Sequence, residues 1–528
     1  MQSTKRLHRG STMIRLLQAH KTSAARRPER PWATCTSTQL PSATPHHRPF
    51  ATSPSSDDVI THPRVPTKSG SPTWKAFPDG SRFWKDIGGG HFQRPIFVAA
   101  TRQHVGKTTT SLAIMSGLKK RFKKVGFMKP VGQQHVEVKS DVDSTKTLRV
   151  DKDVCLVKEH FKLDHIGYDT MSPVIIPQGY TKRYVDGEIS IMDQVDDILN
   201  AMENITQRSD VVLCEGECGK RTVEFIGLWA ACTADSHIDC SFFPFQLGTG
   251  HCAVGSIVGI NNAKIASIIG ADMVLVANGG LGSAFDELEL NRILCQHYNV
   301  RIAGVIINKV RPDKYEQTKH YMRKAMMQSW GVPLLGCVPD RPFLGYCALA
   351  DMENLFKTEL LCGQEHRFRH YNANDMNVVT TSLTRFLENL RQKPGRTLYI
   401  CHVTRDDLIV GFLGEYQRRR EKTEDPFEAA LIICGRKEKY QVSREVLDMI
   451  QSSSGPPVMI VQQSTHDVTK AIHDYTPKLN IHDQLRVEEA VHHYEPYIDF
   501  EELARRTRAS NSSFNDPSTL SLDDLRML

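Results

Sequence analysis

Gly106, Lys107, Thr108 and Thr109 follow one another in this 528-residue chain, and their types and order suit chemistry at phosphates. In such a loop, backbone N–H groups and the positive end of a helix face phosphate oxygens. The lysine adds a charge that can follow a phosphoryl group, and the first threonine's hydroxyl suits Mg²⁺. Val105, Gly106, Lys107, Thr108 and Thr109 are therefore the expected contacts to a nucleoside triphosphate, with Thr108 also on the metal. Two carboxylates are expected to join the metal. Glu215 ends the apolar run Val211-Val212-Leu213-Cys214, and a strand ending on an acid is placed to hold or orient Mg²⁺. Asp153 opens a helical pattern, where a capping acid accounts for the residue type as well as a metal ligand does.

These residues need a strand before the loop and a helix after it. Ile96 to Ala100 is an apolar β-type run, and beyond the loop apolar residues recur at Leu112, Met115 and Leu118 with helical spacing. One departure stands in the loop: Thr101 occupies the position of the first glycine of GxxxxGK[ST]. Further strands are expected over 125–131, 211–215, 273–278, 301–310 and 333–338. Helices alternate with them, and the one over 188–207 is marked by Ile191, Val195, Ile198, Leu199 and Met202. Alternation at this spacing predicts an α/β fold, a doubly wound, mostly parallel sheet of the phosphate-loop NTPase type. From Thr397 the pattern restarts with TLYICHV, ALIICGR and PPVMIVQQ as strands and helices over 407–416 and 442–450, which predicts a second, smaller α/β domain.

The net charge is +7, but residues 1–56 alone carry +8, so the rest of the chain stands at −1. That distribution argues against nucleic acid as a partner. No apolar run approaches bilayer length, which argues against a membrane-spanning chain. The head, residues 1–50, is rich in Arg, Ser and Thr, with an amphipathic stretch at Met13-Ile14-Arg15-Leu16-Leu17, and reads as an organelle presequence. Arg48-Pro49-Phe50-Ala51 resembles a mitochondrial processing pattern, so the expected address is the mitochondrial matrix. An unstructured basic arm is the other account of this composition. Residues 51–93 read as linker. Thirteen cysteines without a CxxC pair predict reduced thiols rather than a disulfide framework.

Taken in order, VAATRQHVGKTTTSL, GFMKPVG, VDKDVCLVKEHF, VVLCEG and RIAGVIINKV resemble the dethiobiotin synthetase-like group of phosphate-loop proteins over roughly 95–340. The resemblance implies that Gly106, Lys107 and Thr108 bind ATP and Mg²⁺ and that Asp153 and Glu215 share the metal. It also implies that Lys129 faces the transferred phosphoryl group, with Lys107 and Lys129 as the catalytic pair, and that Asn308 reads the adenine. In that family a carbamate formed on the substrate is phosphorylated and a ring then closes. Arg102 and Gln103 replace an acid and a hydroxyl expected in the loop, and Gln133-Gln134-His135 replace small residues, so a different substrate is expected here. Thr404-Arg405-Asp406-Asp407 and Ile433-Cys434-Gly435-Arg436 loosely resemble the two signature turns of the DRTGG domain. A dethiobiotin synthetase-like domain joined to a DRTGG domain is the arrangement at the N-terminus of long bacterial phosphate acetyltransferases. With the chain stopping at Leu528, the transferase domain is expected to be absent.

The expected organisation is presequence 1–50, linker 51–93, ATP-binding domain 94–350, connecting segment 351–395, DRTGG-like domain 396–500 and tail 501–528. Segment 217–248 interrupts the family pattern between Glu215-Gly216 and the glycine-rich turn Thr249–Ser256. An unspliced intron or a genuine insertion accounts for it better than a zinc site of Cys214, Cys218, Cys232, His237 and Cys240, which lack CxxC spacing. Two functions stay open. One is a nucleotide-binding regulatory or scaffold protein whose DRTGG-like domain takes a small-molecule or protein ligand; the other is an ATP-dependent ligase or ATPase acting on a carboxylate or amine. Arg102, near where some phosphate-loop ATPases reach across a dimer, hints at a homo-oligomer, although a solvated loop charge is the preferred account of it.

Overall fold

The computed structural model describes residues 80–141, 143, 145–216, 219–221, 247–249, 251–392, 395–422, 426–436, 441–452 and 455–510. The expected presequence, most of the linker 51–93, most of the insert 217–248 and residues 511–528 of the expected tail lie outside the described residues, as do the Arg48–Ala51 processing pattern and the Cys218, Cys232, His237 and Cys240 set.

The first sheet is built from β1 (Ile96–Ala100), β2 (Val125–Met128), β3 (Val211–Glu215), β4 (Asp272–Asn278), β5 (Ile302–Val310) and β6 (Leu334–Pro339). Its order is β6-β5-β4-β1-β3-β2, and every pairing is parallel. All five residues of β1 are buried, as in a parallel sheet covered on both faces, whose strands read as continuous apolar runs. The helices that cover it include α1 (Lys107–Lys119), α2 (Lys152–Phe161), α3 (Ile191–Arg208), α4 (Gly282–His297) and α5 (Tyr315–Trp330). β1 lies between the strands that come third and fourth in the chain, so neighbouring connections leave its C-terminal end in opposite directions. In open α/β sheets, ligands bind at such a reversal. Val98 pairs with Glu215 on one side and Val274 on the other, which sets the carboxylate of β3 beside the loop leaving β1.

The second sheet has order β7-β11-β10-β9-β8, built from β7 (Leu360–Cys362), β8 (Met376–Val378), β9 (Leu398–His402), β10 (Ala430–Cys434) and β11 (Val458–Val461). Only the β7–β11 pairing is antiparallel. Two apolar clusters cover its faces, one around Phe386, Phe412 and Phe427 and the other around Met352, Met459 and Ile472.

The domain boundaries differ from the expected ones in two places. Strands β7 and β8 belong to the second sheet yet fall in the expected connector 351–395; at three residues each they are too short to show a strand pattern. The other difference is larger. After α6 (Thr465–Asp474) the chain returns to the first sheet as α7 (Gln484–Tyr494) and α8 (Phe500–Arg506), and Val487, Tyr494, Ile498, Phe500 and Leu503 join the first core. Gly117 of α1 makes this packing fit, because a Cβ there would lie 2.2 Å from the Phe500 ring. Residues Arg508–Ser510 then pair with His91–Gln93, just ahead of β1. The second sheet is therefore an excursion out of the first domain, and 484–510 is part of that domain.

Candidate functional site

The loop from β1 to α1 is shaped by two left-handed residues, His104 at φ 60° and Gly106 at φ 97°. Gly106 is the N-cap of α1, and a Cβ on it would stand 2.4 Å from Asn308 Nδ2, so glycine is required by both conformation and space. Thr101, in place of the usual first glycine, donates from Oγ1 to Glu287 Oε2 of α4 at 2.8 Å and so ties the loop's start to that helix. Arg102 is exposed and lies 3.6 Å from the same Glu287, which places it among the solvated loop charges of its own chain.

Lys107 is buried at 6% exposure; its Nζ donates to the Gly216 carbonyl and lies 3.7 Å from Glu215 Oε1. Thr108 Oγ1 donates to Glu215 Oε1 at 3.0 Å. Lys129, just past β2, donates to Asp151 Oδ1 at 2.9 Å and to Asp153 Oδ2 at 2.6 Å. Asp151 is the N-cap of α2, accepting from Asp153 N, and its second oxygen accepts from Gln133 N at 3.2 Å. The capping acid is thus Asp151, which leaves Asp153 facing the lysine. The Asp151-Lys152-Asp153 order is the sequence signal for this cap.

Burial alone would raise Asp153, but the ammonium groups of Lys129, Lys152 and Lys107 outweigh it and hold its carboxyl well below the usual range. Glu215 shifts the other way, since burial dominates and nearby Asp153 adds to it, against the pull of Lys107 and Lys129. Asp151, Asp153 and Glu215 face Lys107 and Lys129, all five buried. Glu215 Oε2 is buried and accepts no hydrogen bond from the described groups. An uncompensated buried carboxylate oxygen is costly, and a hard divalent cation with oxygen ligands is what would relieve it. Thr108, Asp153 and Glu215 therefore fit Mg²⁺ in chemistry. Among the described residues no group of three His, Cys, Asp or Glu side chains is placed to hold a metal by itself, so phosphate and water oxygens must complete the shell.

Asn308, expected to read the adenine, is fully buried; its Nδ2 donates to Val105 O at 2.7 Å and its Oδ1 accepts from Lys309 N at 2.8 Å. The first of these bonds braces the phosphate loop. Lys309, in the left-handed region at φ 53°, donates to His104 O at 2.7 Å and braces the loop a second time.

Lys107, Thr108, Lys129, Asp151, Asp153 and Lys309 border a cavity of about 320 Å³. Eight Lys and Arg side chains line it against three Asp, the balance a polyanion needs. The phosphate loop forms one wall. Asp340, Arg341 and Pro342, after β6, form part of another. Thr476, Pro477, Lys478, Leu479, Arg486 and Tyr494 belong to the stretch returning from the second sheet, and sequence reading missed them all. They carry no local motif, and only the long-range fold brings them here.

The insert's described ends pair antiparallel, Gly219 with Thr249 and Arg221 with Leu247, so the chain leaves and re-enters this domain at one point. All nine described cysteines are buried, and none of them is in a disulfide.

A family model described as an AAA domain matches residues 94–225 and 247–346. The break in the match falls inside the expected insert. A phosphate acetyltransferase of Nitrosomonas europaea is 23% identical over 420 residues, covering 78% of this chain and 51% of the relative. One of Nitratidesulfovibrio vulgaris is 23% identical over 424 residues, covering 79% and 52%. The chain thus spans about half the length of the curated relatives it matches. A plasmid partition protein of Borrelia burgdorferi, 12% identical over 47% of this chain and 91% of its own, reaches a TM-score of 0.26, and the strand order rather than this likeness carries the fold class. Residues 94–225 and 247–346 thus match the AAA-domain model, in a chain that is similar, over most of its own length, to about half of a phosphate acetyltransferase.

Proposed function

We propose that this protein binds Mg-ATP and that nucleotide occupancy sets the arrangement of the second, DRTGG-like sheet domain, in a regulatory or scaffold role. One observation carries the reading: the stretch returning from the second sheet forms a wall of the cavity that the phosphate loop opens into. A ligand that touches both walls favours one placement of that stretch over others, which is all that nucleotide control of a conformation requires. Lys107 and the loop N–H groups hold the phosphates in this reading, with Thr108, Asp153 and Glu215 on Mg²⁺. The DRTGG-like domain would take a small-molecule or protein ligand, and the protein acts in the mitochondrial matrix, in keeping with residues 1–50.

A second reading, an ATP-dependent ligase or ATPase on a carboxylate or amine, has one observation in its favour. Lys129 is held between Asp151 and Asp153 at the cavity wall, a fixed cation suited to charge developing on a transferred phosphoryl group. Multiple-turnover ATP hydrolysis, with and without candidate amines, separates the two. Tight Mg-ATP binding with negligible turnover supports the regulatory reading, whereas amine-stimulated phosphate release replaces it with the enzyme.

A further inference from the structure

Lys478 lies on the cavity wall opposite the phosphate loop, half-buried, and its Nζ donates to Gln134 Oε1 at 2.9 Å. Gln134 belongs to the side of the cavity that holds Lys129, since its carbonyl accepts from Lys152 N at 2.8 Å, one residue from Asp153. Lys478 is therefore tied to the segment that carries Lys129 and Asp153, and all three line the cavity with Lys107.

Its placement is built rather than incidental. Arg486, 1% exposed, donates to Lys478 O at 3.3 Å, to Tyr346 O at 2.7 Å and to Asp351 Oδ2 at 2.9 Å. Asp483, which caps α7, lies 3.2 Å from Arg486 Nε and 2.8 Å from Nε2 of the buried His370. The backbone that carries Lys478 is thus fixed by a buried ionic network reaching the chain at 346–370. Pro477 stiffens it from the other side. Arg486 is held by both terminal nitrogens in this network and acts as a positioning residue, and Lys478 is the cation that the returning stretch offers to a ligand. A phosphate oxygen is a charged acceptor, and charge-assisted hydrogen bonds are about twice as strong as neutral ones.

We propose that Lys478 contacts the terminal phosphate of a bound nucleoside triphosphate and so distinguishes triphosphate from diphosphate. The inference rests on the nucleotide site proposed above. It names the residue by which the stretch beyond the second sheet reads that site.

The test is calorimetry of Mg-ATP and Mg-ADP on the full chain, its K478Q and K478A variants, and K107A. K478Q keeps an amide donor for Gln134 while removing the charge, so it preserves the wall's own bonding. The expected result is ATP affinity weakened roughly ten- to a hundredfold in both Lys478 variants, the range of a charge-assisted hydrogen bond, with ADP affinity changed less than about threefold. Unchanged ATP affinity, or equal losses for ATP and ADP, overturns the inference. In the unmodified chain, Mg-ATP and not Mg-ADP should protect Lys478 from amine acylation, read by peptide mass mapping; equal labelling in the two overturns it as well. K107A keeps the outcomes apart. If K107A loses ATP and K478Q does not, only the role of Lys478 falls, whereas wild-type ATP affinity in K107A removes the nucleotide site itself.

Discussion

Replacing Gly106 with alanine tests the phosphate loop without touching a charge. Gly106 sits at φ 97°, and an L-residue held there costs roughly 1–2 kcal/mol. The new methyl would lie 2.4 Å from Asn308 Nδ2, closer than real contacts allow, and Asn308 is fully buried with both ends of its amide engaged. Displacing that amide leaves the Val105 carbonyl unpaired, a further cost of roughly 1–3 kcal/mol. The local loss is then about 2–5 kcal/mol by these same principles. Because the chain holds more than one core, hydrogen exchange of the α1 amides is a better readout than a single unfolding midpoint. Protection there should fall about thirtyfold or more, with Mg-ATP binding lost. The decisive arm is a double-mutant cycle with Asn308→Ala. With the clashing group gone, Gly106→Ala should cost only its backbone strain, so the two substitutions should be non-additive by about 1–3 kcal/mol, the cost of the displaced amide. Additive effects would refute the clash, and an alanine variant with normal protection and normal ATP affinity would refute the whole account of the loop.

Lys129→Met should leave Asp151 and Asp153 buried without their shared cation and destabilise the fold by about 3–5 kcal/mol, checked by thermal unfolding against Lys129→Arg. In the parent chain Asp153 is held below its ordinary value, so its contribution should be fully present above about pH 4 and lost as pH falls further, a dependence that Lys129→Met should flatten in acid-unfolding curves. Removing residues 222–246 and joining the paired strands by a short Asn-Gly turn should leave Mg-ATP affinity at least as high as in the full chain; weaker binding would show that the segment serves the site. N-terminal sequencing of protein from isolated mitochondria should find a start near Ala51, and an intact Met1 would remove the targeting proposal.

The parts of this fold that a reader could take from the sequence are those whose cause is local. Buried parallel strands are long apolar runs, and a glycine-lysine-threonine turn between a strand and a helix has few other uses, so β1, the loop and α1 were legible together. Lys107, Thr108 and Glu215 come together because β1 and β3 are neighbours with Val98 opposite Glu215, a register that follows once the sheet is recognised. The bond of Asn308 to the phosphate loop is not legible, because it depends on what its amide meets 203 residues away. The stretch carrying Lys478, Arg486 and Tyr494 was assigned to the second domain for the same reason. Its apolar residues keep helical spacing, but spacing says only that a face is buried and not against which core.

The pairing of Arg508–Ser510 with His91–Gln93 also dictates a schedule. Gln93 Nε2 donates to Thr507 Oγ1 at 2.8 Å across 414 residues, and Arg94 N donates to Thr507 O at 3.0 Å. At a synthesis rate of roughly 5–20 residues per second, the strand that opens the first domain waits on the order of 20–80 s for its last partner. In that interval the second sheet is made in full, while the groove beside Gly117 stays bare until Phe500 emerges. The domain begun first is finished last, and a nascent chain carries an open phosphate loop and an uncovered apolar face for most of its time on the ribosome. That is a window in which chaperones, or nucleotide itself, can act on the protein before its own C-terminal stretch does.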